Sequence, residues 1–276
     1  MTFVYQRQYR GPVKLIVLDW AGTTMDYGCY APAVVFIEVY ARKGVEITMA
    51  QARKPMGLHK RDHIKAISQQ PEVAAHWEKV HSQPITEENI DEMFAEFQPL
   101  QLECLADYTE LIPGTLEAVA SLRDNGITIG STTGYFTEAM ELLKVEAAHR
   151  GYVPDNSVCA TQVPAGRPAP WMVLQNMFDT GIYPPEAVVK VDDTKPGIAE
   201  GLNAGTWTIG LAKTGNEIGL NLEEISALDE QTLAPLLEQA RVGLARMGAH
   251  YVVDSIVEVP AVLDDINLRL ARGEKP

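Results

Sequence analysis

The apolar positions of this chain fall into two rhythms. Residues 13–18, VKLIVL, form a largely apolar run between Gly11-Pro12 and a Gly/Thr turn, the pattern of a strand buried on both faces of a parallel sheet. After Asp26 the period changes. Residues 30–43 read as an amphipathic helix closed by Gly44, and no clear strand pattern recurs before residue 127. Within that interval Thr48 caps a helix over 49–54, Pro55-Met56-Gly57 breaks it, and 58–68 resumes it. Pro71 opens a helix over 72–81, and Thr86, with Glu87 and Glu88 at its positive end, caps a long helix over 87–105. From Pro113 onward helices (116–125, 137–150, 170–179, 198–203, 229–247 and a last one) alternate with strands (127–132, 157–159, 188–191, 206–211, 251–253). The expectation is an α/β fold: a doubly wound parallel sheet, built from residues 1–28 and 105–276, with an all-helical domain over 29–104 inserted after its first strand.

Composition narrows the class. With 276 residues and 46% hydrophobic content the chain suffices for a packed core plus an insert. A formal net charge of −14 excludes nucleic acid and anionic membrane as natural partners, so an anionic substrate must be drawn in by local charge. The apolar runs are strand-sized, against the ~20 residues of a membrane span, and the start MTFVYQRQYR lacks a signal-peptide core, which makes a cytoplasmic protein the expectation. Cys29, Cys104 and Cys159 are far apart and form no CxxC, so neither a disulfide framework nor a zinc site is expected.

Candidate chemistry gathers at strand ends, where open α/β sheets bind ligands. Asp19 ends the first strand and is followed by Gly22, Thr23 and Thr24, a tight loop whose N–H and hydroxyl groups suit an anion. A carboxylate beside an anion cradle implies a divalent cation between them, or a carboxylate that itself attacks phosphorus. Thr132-Thr133-Gly134 ends the second strand, Arg167 lies in the Pro/Gly-rich loop VPAGRPAPW, and Asp192-Asp193 ends the strand VVKV. Adjacent carboxylates repel unless a cation relieves them, and hard oxygen ligands of this kind suit magnesium. The insert holds the basic stretch ARKPMGLHKRDHIKAI, residues 52–67, which reads either as a solvated helix face or as a positive lid over a phosphate site. A lysine there, in a water-poor pocket near other cations, would become a nucleophilic amine.

IVLDWAGTTMD resembles the first motif of the haloacid dehalogenase superfamily, and DWAGTTMDYG together with KPMGLHKRDH resembles the phosphonoacetaldehyde hydrolases within it. The resemblance spans residues 13 to about 219 and implies specific roles. Asp19 is the nucleophile and, with the Ala21 carbonyl and Asp193, a magnesium ligand; Ala21 stands where phosphatases carry an acid for an alkoxide leaving group. Thr133 and Arg167 hold the phosphoryl group, with Gly22, Thr23, Gly134 and Tyr135 around the substrate. Lys60, three residues before His63, forms a Schiff base; His63 assists it, Met56 and Cys29 line the pocket, and Lys54 is the competing amine. The chain departs from the GDxxxD form of the last motif, since Gly197 replaces its second acid and Asp192 is the substitute, which leaves the division of labour between Asp192 and Asp193 open. The same resemblance implies hydrolysis of a C–P bond in phosphonate degradation, and a homodimer made through the inserted domains.

Overall fold

The computed structural model describes residues 8–276. Six strands, β1 (Leu15–Leu18), β2 (Thr128–Thr133), β3 (Asn156–Cys159), β4 (Val188–Asp192), β5 (Trp207–Leu211) and β6 (Tyr251–Val253), form one sheet in the order β3-β2-β1-β4-β5-β6. Every pairing is parallel. The chain runs outward from β1 through β2 to β3, then returns to β4 on the other side of β1, so the strand order reverses at β1/β4. A doubly wound sheet opens a ligand crevice at that point, outside the carboxyl ends of the strands. Register brings the chemistry to one edge: Leu18 lies opposite both Ser131 and Val191, so Asp19, Thr132-Thr133 and Asp192-Asp193 emerge side by side.

The sheet is buried on both faces, which is why β1 reads as an unbroken apolar run. Five helices separate β1 from the rest: α1 (Tyr30–Arg42), α2 (Met49–Arg53), α3 (Lys60–Ser68), α4 (Pro71–His81) and α5 (Glu87–Leu105). The crossovers are α6 (Thr115–Asp124), α7 (Thr137–His149), α8 (Trp171–Thr180), α9 (Lys195–Asn203), the short α10 (Leu222–Ser226) and α11 (Glu230–Arg246), and α12 (Val259–Ala271) follows the last strand. Leu15 and Val17 pack beneath α8 against Val173 and Met177, while Ile16 and Leu18 join the main core on the other face. That core runs without interruption into the insert, where Phe36 stacks on Phe97 at 4.6 Å. Among the described residues, no helix is long and apolar enough to cross a membrane.

Local sequence explains the helix ends. Thr48 and Thr86 each accept the N–H of the third residue on, Gln51 and Asn89, whose side chains reach back to complete capping boxes. The helix expected over 58–68 begins only at Lys60, because His59, its N-cap, has an extended backbone with ψ 140. The short α10, capped by Asn221, was not expected.

Candidate active site

Asp19 follows β1 directly and its N–H donates to the Val191 carbonyl at 3.1 Å, which fixes it between β1 and β4. The loop after it folds on itself. Gly22 has φ 82, and a Cβ there would strike the Asp193 carboxylate. The Gly22 N–H donates to the Met25 carbonyl at 2.7 Å and the Thr23 N–H to the Trp20 carbonyl at 3.1 Å, so these donors are consumed inside the loop. The Thr23 hydroxyl donates to Asp193 Oδ1 at 3.3 Å. The expected anion cradle is therefore corrected: Thr23 braces Asp193, Gly22 leaves room for its carboxylate, and neither lines the pocket.

One oxygen each from Asp19, Asp192 and Asp193 lie within 4.8 Å of one another, and all three residues are buried. Arg167 reaches in from its loop and places Nη2 2.6 Å from Asp19 Oδ1 and 3.3 Å from Asp192 Oδ2, with Nε 3.1 Å from Glu200 Oε2. Lys190, on β4, holds Asp192 Oδ2 at 2.9 Å. Burial pushes the Asp192 carboxyl up, but Arg167 and Lys190 outweigh it and hold the group below the usual range. Asp193 has no such cation. Burial, then its neighbours Asp192 and Asp19, drive its proton affinity well above that of an ordinary aspartate. Burial also raises Asp19, against the pull of Arg167.

Four carboxylates, Asp19, Asp192, Asp193 and Glu200, share this buried network with two cations, Arg167 and Lys190, an imbalance that one divalent ion neutralises. The donor set is all oxygen, as magnesium prefers. The Cys29 thiol donates toward Asp193 Oδ2 at 3.2 Å and lies 3.1 Å from the Ala21 carbonyl, so the oxygens of those two residues face a common space. The residues fit magnesium: the oxygens of Asp19, Asp193 and Ala21 face the pocket side while Asp192 is turned toward Arg167 and Lys190. A Cβ at Gly197 would overlap the Asp192 carboxylate. Asp192 thus occupies the space beside Gly197 on α9.

A small pocket, with a cavity volume of about 20 Å³, lies above these groups. Its polar wall is Asp19, Thr133, Arg167 and Thr194; its apolar wall is Cys29, Pro32, Met56 and Tyr135. Lys60 closes it from the insert. Its Nζ lies 4.4 Å from the centre of the Tyr135 ring and 5.9 Å from that of Phe36, a cation–π setting in place of an ion pair. Burial lowers its pKa to about 8, a fall that Cys29 and Asp19 moderate. Lys54, the competing amine, is exposed and outside the pocket.

His63 is buried but does not line the pocket. Its ring stacks on Phe36 at 3.8 Å and Nε2 lies 2.7 Å from the Ala52 carbonyl, a contact that requires the proton on Nε2 and leaves the unpartnered Nδ1 as the lone-pair atom. Burial and the nearby Lys60 charge keep the imidazole neutral. The basic stretch divides: Arg61 pairs with Glu87 and Asp91, and Lys65 with Glu87, so these two serve the outer face of the insert while Lys60 and Arg53 turn inward.

Comparison with known proteins places this geometry. The haloacid dehalogenase-like hydrolase model matches residues 13–205. A phosphonoacetaldehyde hydrolase-like protein of Syntrophobacter fumaroxidans is 47% identical over 100% of this chain and 99% of its own length, and a phosphonoacetaldehyde hydrolase of the same organism is 45% identical over 99% of each. The chain belongs to the phosphonoacetaldehyde hydrolase family. It is a hydrolase of the haloacid dehalogenase superfamily. The crystal structure of a phosphonoacetaldehyde hydrolase-like protein from Oleispira antarctica superposes with a TM-score of 0.98 at 39% identity, covering all of both chains.

Several residues of this phosphonoacetaldehyde hydrolase family member shape the site without a signal in the sequence. Lys190 interrupts an apolar strand and Glu200 sits mid-helix, positions where a charge reads as noise until the fold brings them together. Asn216 donates its N–H to Asp193 Oδ2 at 2.7 Å and its side-chain amide to the Arg53 carbonyl at 3.3 Å, which joins the carboxylate site to the insert. Thr214 donates to the Gly22 carbonyl at 2.7 Å from the same loop.

Proposed function

We propose that this enzyme hydrolyses the C–P bond of phosphonoacetaldehyde, releasing acetaldehyde and phosphate as a step in 2-aminoethylphosphonate degradation. The observation that carries the reading is the buried Lys60 amine, poised near pKa 8, opening onto the same pocket as Asp19 and Arg167. Ala21 completes it, since a carbon leaving group offers no oxygen for an acid to protonate.

Lys60, as the free amine, adds to the aldehyde carbonyl; loss of water gives an iminium ion. The proton shed in that step passes to water, since His63, on the same helix, lies outside the pocket with its ring stacked on Phe36 and burial disfavours its protonation. Asp19 then attacks phosphorus, the C–P electron pair moves into the carbon–carbon bond, and an enamine forms on Lys60 while the phosphoryl group passes to the Asp19 carboxylate. Arg167 and Thr133 hold the equatorial oxygens. Protonation of the enamine at carbon and hydrolysis of the resulting iminium release acetaldehyde; water cleaves the aspartyl phosphate. Asp19, Asp193 and the Ala21 carbonyl would hold magnesium, which supplies charge neutralisation for an anionic phosphoryl group approaching a carboxylate. Residues 29–104 act as a cap that opens for exchange and closes for chemistry, with Met56, Cys29, Gly134 and Tyr135 around the two-carbon unit. A homodimer through the caps and a cytoplasmic location belong to the same reading.

Incubation with phosphonoacetaldehyde tests it. Acetaldehyde and phosphate should appear in equal amounts, and Asp19→Asn should lower the rate by at least about 10³-fold with the circular dichroism spectrum unchanged. Rapid hydrolysis of phosphate esters with no acetaldehyde release would identify a phosphatase instead.

A further inference from the structure

We propose that Lys190, acting through Thr132 and Glu200, is a positioning residue that aims the Arg167 guanidinium at Asp19. The proposal rests on the reading of Arg167 as the phosphoryl-facing cation. Lys190 is fully buried in the middle of β4, a position where lysine is rare unless its charge is employed. Its Nζ donates to Thr132 Oγ1 at 2.7 Å and lies 2.9 Å from Asp192 Oδ2 and 3.7 Å from Glu200 Oε2. Lys190 sits on β4 and Thr132 on β2, so the side chain spans the intervening β1, just below Asp19.

Arg167 Nη2 sits among four acceptors, Asp19 Oδ1, Thr132 Oγ1, the Thr132 carbonyl at 3.2 Å and Asp192 Oδ2, and Thr132 Oγ1 is the one that Lys190 also holds. Thr132 Oγ1 accepts from Lys190 Nζ and, at 2.9 Å, from Arg167 Nη2. A hydroxyl oxygen has two lone pairs, so both are filled. Its own hydrogen is left for Glu200 Oε2, 3.4 Å away, and that oxygen also accepts from Arg167 Nε at 3.1 Å. The result is a closed ring in which Arg167 is gripped at two nitrogens while Nη2 also meets Asp19 Oδ1. Arg167 needs such a grip, because it arrives on a Pro/Gly-rich loop that belongs to no helix or strand. The neighbouring packing is shaped to admit Lys190: a Cβ on Gly201 of α9 would come within 2.7 Å of the Lys190 Cβ. Thr132 and Thr133 thus divide their roles at one strand end, the first turned to the ring and the second lining the pocket.

The test compares Lys190→Met, Thr132→Val and Thr132→Ser, each alone and with Arg167→Lys, using phosphate release from phosphonoacetaldehyde. Thr132→Val removes the central hydroxyl while leaving every charge in place, which covers the case where Lys190→Met fails to fold. Lys190→Met and Thr132→Val should each lower kcat by about 10–100-fold with KM little changed, and Thr132→Ser should retain activity. In the Arg167→Lys background neither should cause a further loss. A kcat for Thr132→Val within twofold of the parent enzyme, or losses that multiply in the Arg167→Lys background, would overturn the proposal. A crystal structure of Thr132→Val reports independently of turnover: the Arg167–Asp19 contact should open, and its retention would count against the ring even if phosphonoacetaldehyde proved not to be the substrate.

Discussion

At the scale of single residues, the chemistry depends on charges held where water cannot reach them. Lys60 shows the cost. A fall from an ordinary lysine value of 10.5 to about 8 reflects burial of the ammonium, and it amounts to on the order of 3 kcal/mol of destabilisation. Since the folded pKa lies below the unfolded one, that cost is full below pH 8, declines between 8 and 10.5, and vanishes above. Lys60→Met should therefore be inactive yet more stable than the parent enzyme to urea at pH 7, by about 2–3 kcal/mol, with the advantage gone at pH 10.5; equal or lower stability at pH 7 would refute this account of the pocket. Proximity was legible where chemistry and spacing coincide: the fold brings Asp19, Lys60, Thr133 and Arg167 to one pocket and sets Asp193 beside Asp19. It failed where a residue's role depends on backbone bonds. Gly22 and Thr23 looked like free anion donors because nothing in the letters shows that their N–H groups are spent on Met25 and Trp20.

At the scale of elements, the loop between α2 and α3 decides how the insert meets the sheet. Gly57 has φ 95 and a Cβ there would collide with the Thr194 hydroxyl; a Cβ on Gly134 would lie 2.7 Å from the Leu58 carbonyl. Two glycines thus let two backbones close over the pocket. Gly57→Ala should fold, since the site lies at a contact between units, but lose closure, with kcat/KM falling by about 10-fold or more and stability by about 1–2 kcal/mol from the positive φ; unchanged kinetics would show that this approach is not needed for catalysis. The helices and strands themselves were legible from periodicity, because a parallel sheet buried on both faces writes apolar runs and amphipathic crossovers write a 3.6-residue repeat. The short α10 escaped, as five residues are too few to show a period. The late start of α3 escaped because His59 carries no cap-forming side-chain bond that would mark it as the N-cap.

At the scale of the whole molecule, a chain of net charge −14 must bring an anion to a site already crowded with carboxylates. Arg167, Lys190 and Lys60 oppose that field locally, and the oxygens of Asp19, Asp192 and Asp193 gather where a divalent cation would fit. Magnesium at 100 times its dissociation constant should stabilise the folded enzyme by about 2.7 kcal/mol, seen as a rise in Tm that Asp193→Asn abolishes; a Tm indifferent to magnesium in the parent enzyme would remove the metal from the account. The larger claim is that two separate units meet to cleave one bond, Asp19 from the sheet and Lys60 from the insert. Borohydride reduction during incubation with phosphonoacetaldehyde, followed by mass spectrometry of the digested protein, tests it most directly. The account predicts a two-carbon adduct on Lys60, with or without its phosphono group. Phosphonoacetaldehyde turned over with no adduct on Lys60, or an adduct on another lysine such as Lys54, would contradict it.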